Sequence, residues 1–288
     1  MKKNIIIINI CMLIIGIETL SCVKKDKENN QKKGWVTDFI DQFDYFNEKN
    51  WQDQLLWVNE EDQCYVRDGE FNTREISNGS LKLRLISLDH ERQCLDNVSK
   101  FGKYHPATRY VSARLTSKNL QEFTGGRWTA RIKLNKAGEV GMFPAWWLLG
   151  ARNNEPPVQE PDENVCWPLS GSGEIDIMEH HGQHGGQSGY VGRSILPLGN
   201  CDDGGDWWTN QVNSSSNLTE YNEYSVEWLD SDLVFRLNGI EVGRNVGIAE
   251  KLLEPMFAIL NYAKISNERM DGKWEMEIDW VKHEKWVN

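Results

Sequence analysis

Apolar and polar residues alternate one by one in a series of short segments separated by Gly, Asn, Asp and Ser turns: Ser80–Leu85 (SLKLRL), Arg127–Leu134 (RWTARIKL), Tyr224–Leu229, Leu233–Leu237 and Lys273–Val281. A period of two sends successive side chains to opposite faces of a strand, so each segment can bury one face and wet the other. Helical spacing is scarce, and no strand–helix–strand alternation occurs. That argues against a parallel sheet with crossover helices and for an all-β, antiparallel sandwich. Within Leu233–Val242 (LVFRLNGIEV), Asn238-Gly239 separates two strand-like runs, which predicts a type I′ hairpin. No internal repeat is evident. Two polar stretches, Asn153–Val165 (NNEPPVQEPDENV) and Gly182–Gly189 (GQHGGQSG), cannot supply core and read as loops that either shape a cleft or are plainly solvated.

The first 34 residues differ from the rest. Lys2 and Lys3 precede a nearly unbroken apolar run, Ile5–Ile17, of 13 residues. A membrane span needs about 20. A basic start and a short apolar centre fit a secretory leader, and Ser21 precedes Cys22, where a lipoprotein signal peptidase would cut. The usual Leu three residues before that cysteine is Thr19 here, with Leu20 one place late. The expected organisation is a lipoprotein signal peptide over 1–21, a polar tether over 22–34 and one domain over 35–288. A lipid on Cys22 would hold that domain at an outer membrane or cell surface, or at its periplasmic face.

Lys and Arg number 32 against 43 Asp and Glu, a net charge of −11, and no basic run occurs beyond the leader and tether. Such a field repels nucleic acid. Four cysteines remain after Cys11 and Cys22: Cys64, Cys94, Cys166 and Cys201. In an oxidising compartment they permit two disulfides in three connectivities, and the expected pairs are Cys64–Cys94 and Cys166–Cys201. No Cys-x-x-Cys or close Cys/His pair suggests a metal. Trp occurs 13 times, more than Phe at 9 or Tyr at 8. Its flat ring and N–H suit a large core or a surface that stacks on sugars.

The most informative segment is Gly173-Glu174-Ile175-Asp176-Ile177-Met178-Glu179-His180-His181. On a strand Glu174 and Asp176 share one face, while Ile175 and Ile177 face the core. Strict alternation would then turn Glu179 toward the apolar side, at a high desolvation cost. One extra residue bulging near Met178 returns Glu179 to the face of the other acids. Clustered carboxylates repel one another, so their retention indicates either metal binding or acid/base work with split pKa values. Calcium sites usually draw on loop carbonyls and amides, which an alternating strand does not offer. Two carboxylates flanking a glycosidic bond, one ionised and one protonated, fit the logic of a glycosidase.

GEIDIMEHHG, preceded by CWPLSGS, resembles the active-site strand of glycoside hydrolase family 16, in its laminarinase-like branch with E-I-D-I-M-E; lichenases of that family carry E-I-D-I-E without the bulge residue. The resemblance extends over roughly 35 to 288. Phe39–Asp44 (FIDQFD) is similar to F-x-D-E-F-D, with Gln42 in place of Glu. Trp57–Tyr65 (WVNEEDQCY) is similar to W-G-N-N-E-L-Q-Y-Y, Tyr110–Ser117 (YVSARLTS) to Y-x-S-A-R-L-x-T and Met142–Gly150 (MFPAWWLLG) to W-P-A-F-W-M-L-G; Tyr224–Val242, Phe257–Ala263 (FAILNYA) and Met276–Val281 (MEIDWV) resemble later strands.

The resemblance implies a concanavalin A-like jelly roll with a concave substrate cleft. It implies Glu174 as nucleophile, Asp176 as its orienting partner and Glu179 as general acid/base. It places Trp147 and Trp167 where the family stacks glucose rings, and Arg114, Asn59 and Glu61 on the cleft lining. In strand Met142–Gly150, Trp146 and Trp147 point to opposite faces, so one of them belongs to the core. A His next to the acids, His180 or His181, is a candidate proton relay or an ordinary hydrogen-bonding residue. Trp207 and Trp208 either cap a loop or extend the cleft. The resemblance also implies a structural calcium at Asp279, with the Gly79 carbonyl, although Gln42 removes a nearby acid; no cofactor is needed for catalysis.

The implied activity is endo-cleavage of β-1,3- or mixed-linkage β-1,3/1,4-glucan by double displacement, in a monomer whose partner is the polysaccharide. One departure matters: Tyr190–Gly199 lacks the His of the family's G-x-x-H-x-x-G. That loosens the substrate and leaves a β-galactan or mucin-type galactosyl glycan as an alternative on the same mechanism. A non-catalytic glycan-binding lipoprotein is the alternative from a different class.

Overall fold

The computed structural model describes residues 33–99, 102–136, 138–153, 173–180, 190–195, 207–212, 216–252, 254–265 and 269–288. Cys22, Cys166, Trp167, His181, Cys201 and most of the two polar stretches lie outside the described residues. In chain order the strands are β1 (Gly34–Asp41), β2 (Gln52–Asp53), β3 (Cys64–Tyr65), β4 (Arg74–Ser77), β5 (Ser80–Val98), β6 (Tyr104–Ser112), β7 (Arg114–Thr116), β8 (Glu122–Phe123), β9 (Gly126–Leu134), β10 (Met142–Gly150), β11 (Glu174–Glu179), β12 (Tyr190–Ile195), β13 (Trp207–Val212), β14 (Asn222–Leu229), β15 (Asp232–Leu237), β16 (Ile240–Asn245), β17 (Met256–Lys264) and β18 (Lys273–Val287).

They form two sheets. The first runs β16-β15-β14-β9-β18-β5-β6-β3, with β1 on β18 and β4 on β5; the second runs β13-β12-β11-β10-β17-β7-β2, with β8 on β17. Consecutive neighbours in a sheet are often distant in the chain, as β9 beside β18 and β10 beside β17, which is the wiring of a jelly roll and not of a meander. The all-β antiparallel sandwich read from the alternation is the fold observed.

Each predicted segment forms a strand, and the apolar residues of its alternation enter the core. In β9, Trp128, Ala130, Ile132 and Leu134 are buried in the same core cluster as Leu81, Leu83 and Leu85 of β5 and Met276, Ile278 and Val281 of β18. From the second sheet, Trp146, Leu148, Ile175, Ile177, Ala258 and Leu260 enter that cluster. The core is thus the space between two inner faces, and each sheet keeps an outer face. The hairpin between β15 and β16 turns at Asn238 (φ 52°) and Gly239 (φ 78°), both left-handed as a type I′ turn requires.

β5 continues to Val98, far beyond the alternating Ser80–Leu85, and pairs with β6 out to Tyr104 across several register shifts. This extension is fixed to the body by a Cys64–Cys94 disulfide, with Cα atoms 5.7 Å apart. Beside it, Asn97 accepts from the Tyr65 backbone N–H and donates to the Tyr65 carbonyl, both at 2.8 Å.

Candidate active site

The acids sit on β11, and its pairing with β10 explains how they come to face one way. Ala145 opposes Glu179 and Trp146 opposes Met178, but Trp147 opposes Asp176, so one extra β11 residue is accommodated there. Directly paired residues point to the same side of a sheet. With the bulge, Ile175, Ile177 and Met178 all enter the central core. Glu174, Asp176 and Glu179 share the opposite, outer face with Leu149, Trp147 and Ala145. Without it, either Met178 or Glu179 would be on the wrong side.

The entry to the strand is fixed by a glycine and an acid. A Cβ on Gly173 would lie 2.5 Å from Leu252 Cδ2, so a larger residue there would require the Leu252 side chain to shift. Gly173 donates its N–H to Glu254 Oε1 at 3.2 Å, while the backbone N–H of Arg152, just past β10, donates to Glu254 Oε2 at 2.7 Å. A buried carboxylate thereby anchors the end of β10 and the start of β11 together.

Register extends the site sideways in rows. Glu179 lies opposite Ala145, Ala145 opposite Asn261 and Asn261 opposite Arg114. Asp176 lies opposite Trp147, Trp147 opposite Ile259, Ile259 opposite Thr116 and Thr116 opposite Gln52. At about 4.8 Å per strand, Arg114 and Glu179 are roughly 14 Å apart across the face.

A chain of polar contacts runs through these rows. The Trp147 indole N–H donates to Asn261 Oδ1 at 2.8 Å, and Asn261 Nδ2 donates to the Tyr65 hydroxyl at 3.1 Å. That hydroxyl donates to Glu61 Oε2 at 3.1 Å, which also accepts from Gln63 Nε2 at 2.8 Å. Arg114 donates through Nε to Gln54 Oε1 at 2.6 Å, with its guanidinium carbon 4.8 Å from the centre of the Trp147 ring. Burial, and then the neighbouring Glu61 charge, push the Tyr65 hydroxyl well above its ordinary pKa, so it stays a neutral donor.

The structure distributes the residues expected from sequence over several environments. Asp176 and Glu179 are buried and Glu174 is half-buried, all on the outer face of β11. Trp146 is in the core and Trp147 on the acid face, so the two rings do take opposite sides. Arg114 and Glu61 belong to the polar chain beside Trp147. Asn59 is exposed and left-handed (φ 50°), as is Glu60 (φ 53°), in a turn closed by the Glu61 N–H to Val58 carbonyl bond of 3.0 Å. His180 is buried, and its Nε2 accepts from the Gly138 backbone N–H at 3.3 Å, an ordinary structural bond.

Asp279 lies on the first sheet, at a register shift of β18, with its carboxylate paired to Arg131. Among the described residues no group of His, Cys, Asp or Glu donors gathers around it. Arg131 neutralises this acid, and Gln42 adds no second carboxylate. Gln54 lies outside the segments that resemble the family; Gln63 and Tyr65 lie in WVNEEDQCY and Asn261 in FAILNYA, but the resemblance assigned none of the four a role. Asn261 alone has a usable signal: alternation in FAILNYA puts it on the face of Phe257 and Ile259, where a buried amide needs partners.

The chain spans about half the length of a relative it matches, the Beta-glucanase of Rhodothermus marinus: 29% identity over 176 residues, 59% of this chain and 51% of that one. It is 26% identical to the Glucan endo-1,3-beta-glucosidase of Cryptopygus antarcticus, covering 88% of this chain and 93% of the other. The solved structure of LamAcat from Zobellia galactanivorans superposes with a TM-score of 0.71 at 25% identity, over 87% of this chain and 98% of that chain. The model of the Glycosyl hydrolases family 16 matches residues 57–282. The chain belongs to glycosyl hydrolase family 16.

Proposed function

We propose that the protein is an endo-acting β-glucan hydrolase that retains anomeric configuration, with β-1,3- or mixed-linkage β-1,3/1,4-glucan as substrate. The observation that carries this reading is the bulge in β11, which turns Glu174, Asp176 and Glu179 together to one outer face, beside Trp147, in a family 16 chain. The names of the Rhodothermus and Cryptopygus relatives support a glucan over other polymers.

In this reading ionised Glu174 attacks the anomeric carbon while Glu179 gives its proton to the departing glycosidic oxygen. The C–O bond breaks and a glycosyl ester forms on Glu174. Glu179, now a carboxylate, takes a proton from water, whose oxygen displaces Glu174 and restores both acids. Asp176, between them in sequence, orients the nucleophile. Trp147, held in place by its bond to Asn261, offers its remaining 6% exposed surface to a bound glucose, and the buried Arg114 and Glu61 brace Trp147 and Tyr65 from within the polar chain. The protein works as a monomer, tethered through a lipid on Cys22.

The test is hydrolysis of laminarin and mixed-linkage glucan, with galactans and mucin glycans as controls, read by reducing-end release, product size and the anomer first formed. Glu174→Gln and Glu179→Gln should each abolish product formation. Products of inverted configuration, or cleavage only of galactosyl polymers, would refute the reading.

A further inference from the structure

The first sheet carries an aromatic surface that the chemistry at β11 does not use. Trp35 of β1 lies opposite Trp286 of β18, and their rings meet edge to face with centres 5.2 Å apart. Trp286 is 39% exposed and Ile40, further along β1, is 47% exposed. The pairings of Ile40 with Lys282 and Trp35 with Trp286 put all four on one side of the sheet. Lys282 also reaches over Trp280, 5.2 Å from its ring centre, and Trp280 lies on the same side. Trp280 and Trp286 are therefore roughly 20 Å apart along one strand, at about 3.3 Å per residue.

This is the outer side. Val281, between Trp280 and Lys282, belongs to the central core, as does Trp128 next to Arg127. The acids of β11 are on the outer side of the other sheet, so the two surfaces are separated by the whole sandwich.

Charge indicates the ligand. The three cations beside the tryptophans are already matched: Arg127 pairs with Glu284 at 2.8 Å and Glu227 at 3.3 Å, Lys282 with Glu284 at 3.2 Å, and Arg131, opposite Trp280 in register, with Asp279. The Arg127 guanidinium also lies over Trp35, 4.6 Å from its ring centre, which fixes the ring's tilt. Flat indoles amid balanced, hydrogen-bonding ion pairs suit a neutral polyhydroxylated chain, and offer no excess positive charge to an anionic membrane or nucleic acid.

From this geometry we infer a second, non-catalytic glucan-binding platform, made by Trp35, Trp286 and Trp280 with Ile40, that holds the polymer while the β11 face cuts it. The inference rests on the reading of the protein as a β-glucan hydrolase. It is tested by retardation of the protein in native gels containing laminarin or mixed-linkage glucan, using Glu174→Gln to prevent cleavage. Adding Trp35→Ala and Trp286→Ala should weaken retardation about fivefold or more, as expected for losing aromatic stacking. The same two substitutions in the active enzyme should leave kcat/KM on a short soluble β-1,3-gluco-oligosaccharide within about twofold, showing an intact fold.

Unchanged retardation with intact oligosaccharide hydrolysis would overturn the platform and leave the catalytic reading standing. A mobility change on substitution in gels without polysaccharide would assign the patch to self-association instead. Binding to anionic lipid vesicles that the substitutions abolish would assign it to a membrane surface. Failure of the unsubstituted protein to cleave or bind any glucan would remove the catalytic reading and the platform with it.

Discussion

Asn261 joins the two halves of the candidate site, and replacing it separates them. Its side chain is buried, accepts from the Trp147 indole at 2.8 Å and donates to the Tyr65 hydroxyl at 3.1 Å. Each bond is worth about 1 kcal/mol net, and leaving a buried partner with poorer hydrogen bonding adds about 1–3 kcal/mol. Asn261→Ala should therefore cost about 3–5 kcal/mol, or roughly 6–20 °C in melting temperature for a domain of this size. Trp147, no longer anchored, should bind sugar less well, lowering kcat/KM on glucan about tenfold.

Asn261→Asp distinguishes hydrogen bonding from packing. The carboxylate still accepts from Trp147, but it also faces the Tyr65 oxygen, whose proton is directed to Glu61. Burial and the Glu61 charge raise the folded-state pKa of that Asp above its unfolded value of about 3.9. The folded state then binds more protons than the unfolded one, so stability is full below about pH 4 and declines as pH rises toward the folded pKa. Guanidinium unfolding monitored by Trp fluorescence at a series of pH values reads both effects. An Asn261→Ala cost under about 0.5 kcal/mol, or an Asn261→Asp stability with no more pH dependence than the parent, would refute the reasoning.

Three more outcomes are expected. Asp176→Asn should keep the fold and lower kcat by about 10²–10³-fold with little change in KM, measured by reducing-sugar release, because in the proposed mechanism Asp176 acts through orientation of Glu174. Replacing Cys64 and Cys94 together by Ala frees a loop with a sequence separation of 30, which the loop-entropy relation values at roughly 3–4 kcal/mol in denaturant unfolding; a loss below about 1 kcal/mol would show that the Asn97–Tyr65 bonds alone hold β5 in place. Glu277, whose pKa burial would raise but which hydrogen bonds from Ser80, Lys133 and Tyr221 and the Lys133 charge bring down to about 2, stabilises the fold above about pH 4.5 and loses that contribution as pH falls toward 2. Its partial exposure limits the effect to about 1 kcal/mol, so Glu277→Gln should flatten the acid limb of a stability–pH curve by about that amount.

The alternation of Arg127–Leu134 and Lys273–Val281 is enough to assign strands and inner faces, because a period of two leaves no other arrangement of their apolar residues. The EIDIME segment goes further: three acids and three apolar residues in six positions cannot be sorted onto two faces without a bulge, and the β10–β11 register contains one. The sequence could not show that Asp279 is met by Arg131, since they are 148 positions apart and become neighbours only when β18 pairs with β9.

The extension of β5 escapes sequence reading for a related reason. Residues beyond Leu85 are exposed or half-buried apart from Cys94 and Asn97, so they carry no alternation, and their strand exists through pairing with β6 and the disulfide. Likewise Gln54, Tyr65 and Asn261, from three separate segments, reveal a shared role only once the fold brings segments of both sheets together beside Trp147. Local periodicity and the desolvation cost of a misdirected carboxylate are properties of a short stretch of chain, and through them the sequence alone determined the sandwich, the inner faces and the side of β11 that bears the acids. Which charges neutralise one another and which amides hold the catalytic face depends on strand order and register, which are set by long-range packing, and only the tertiary structure decided them.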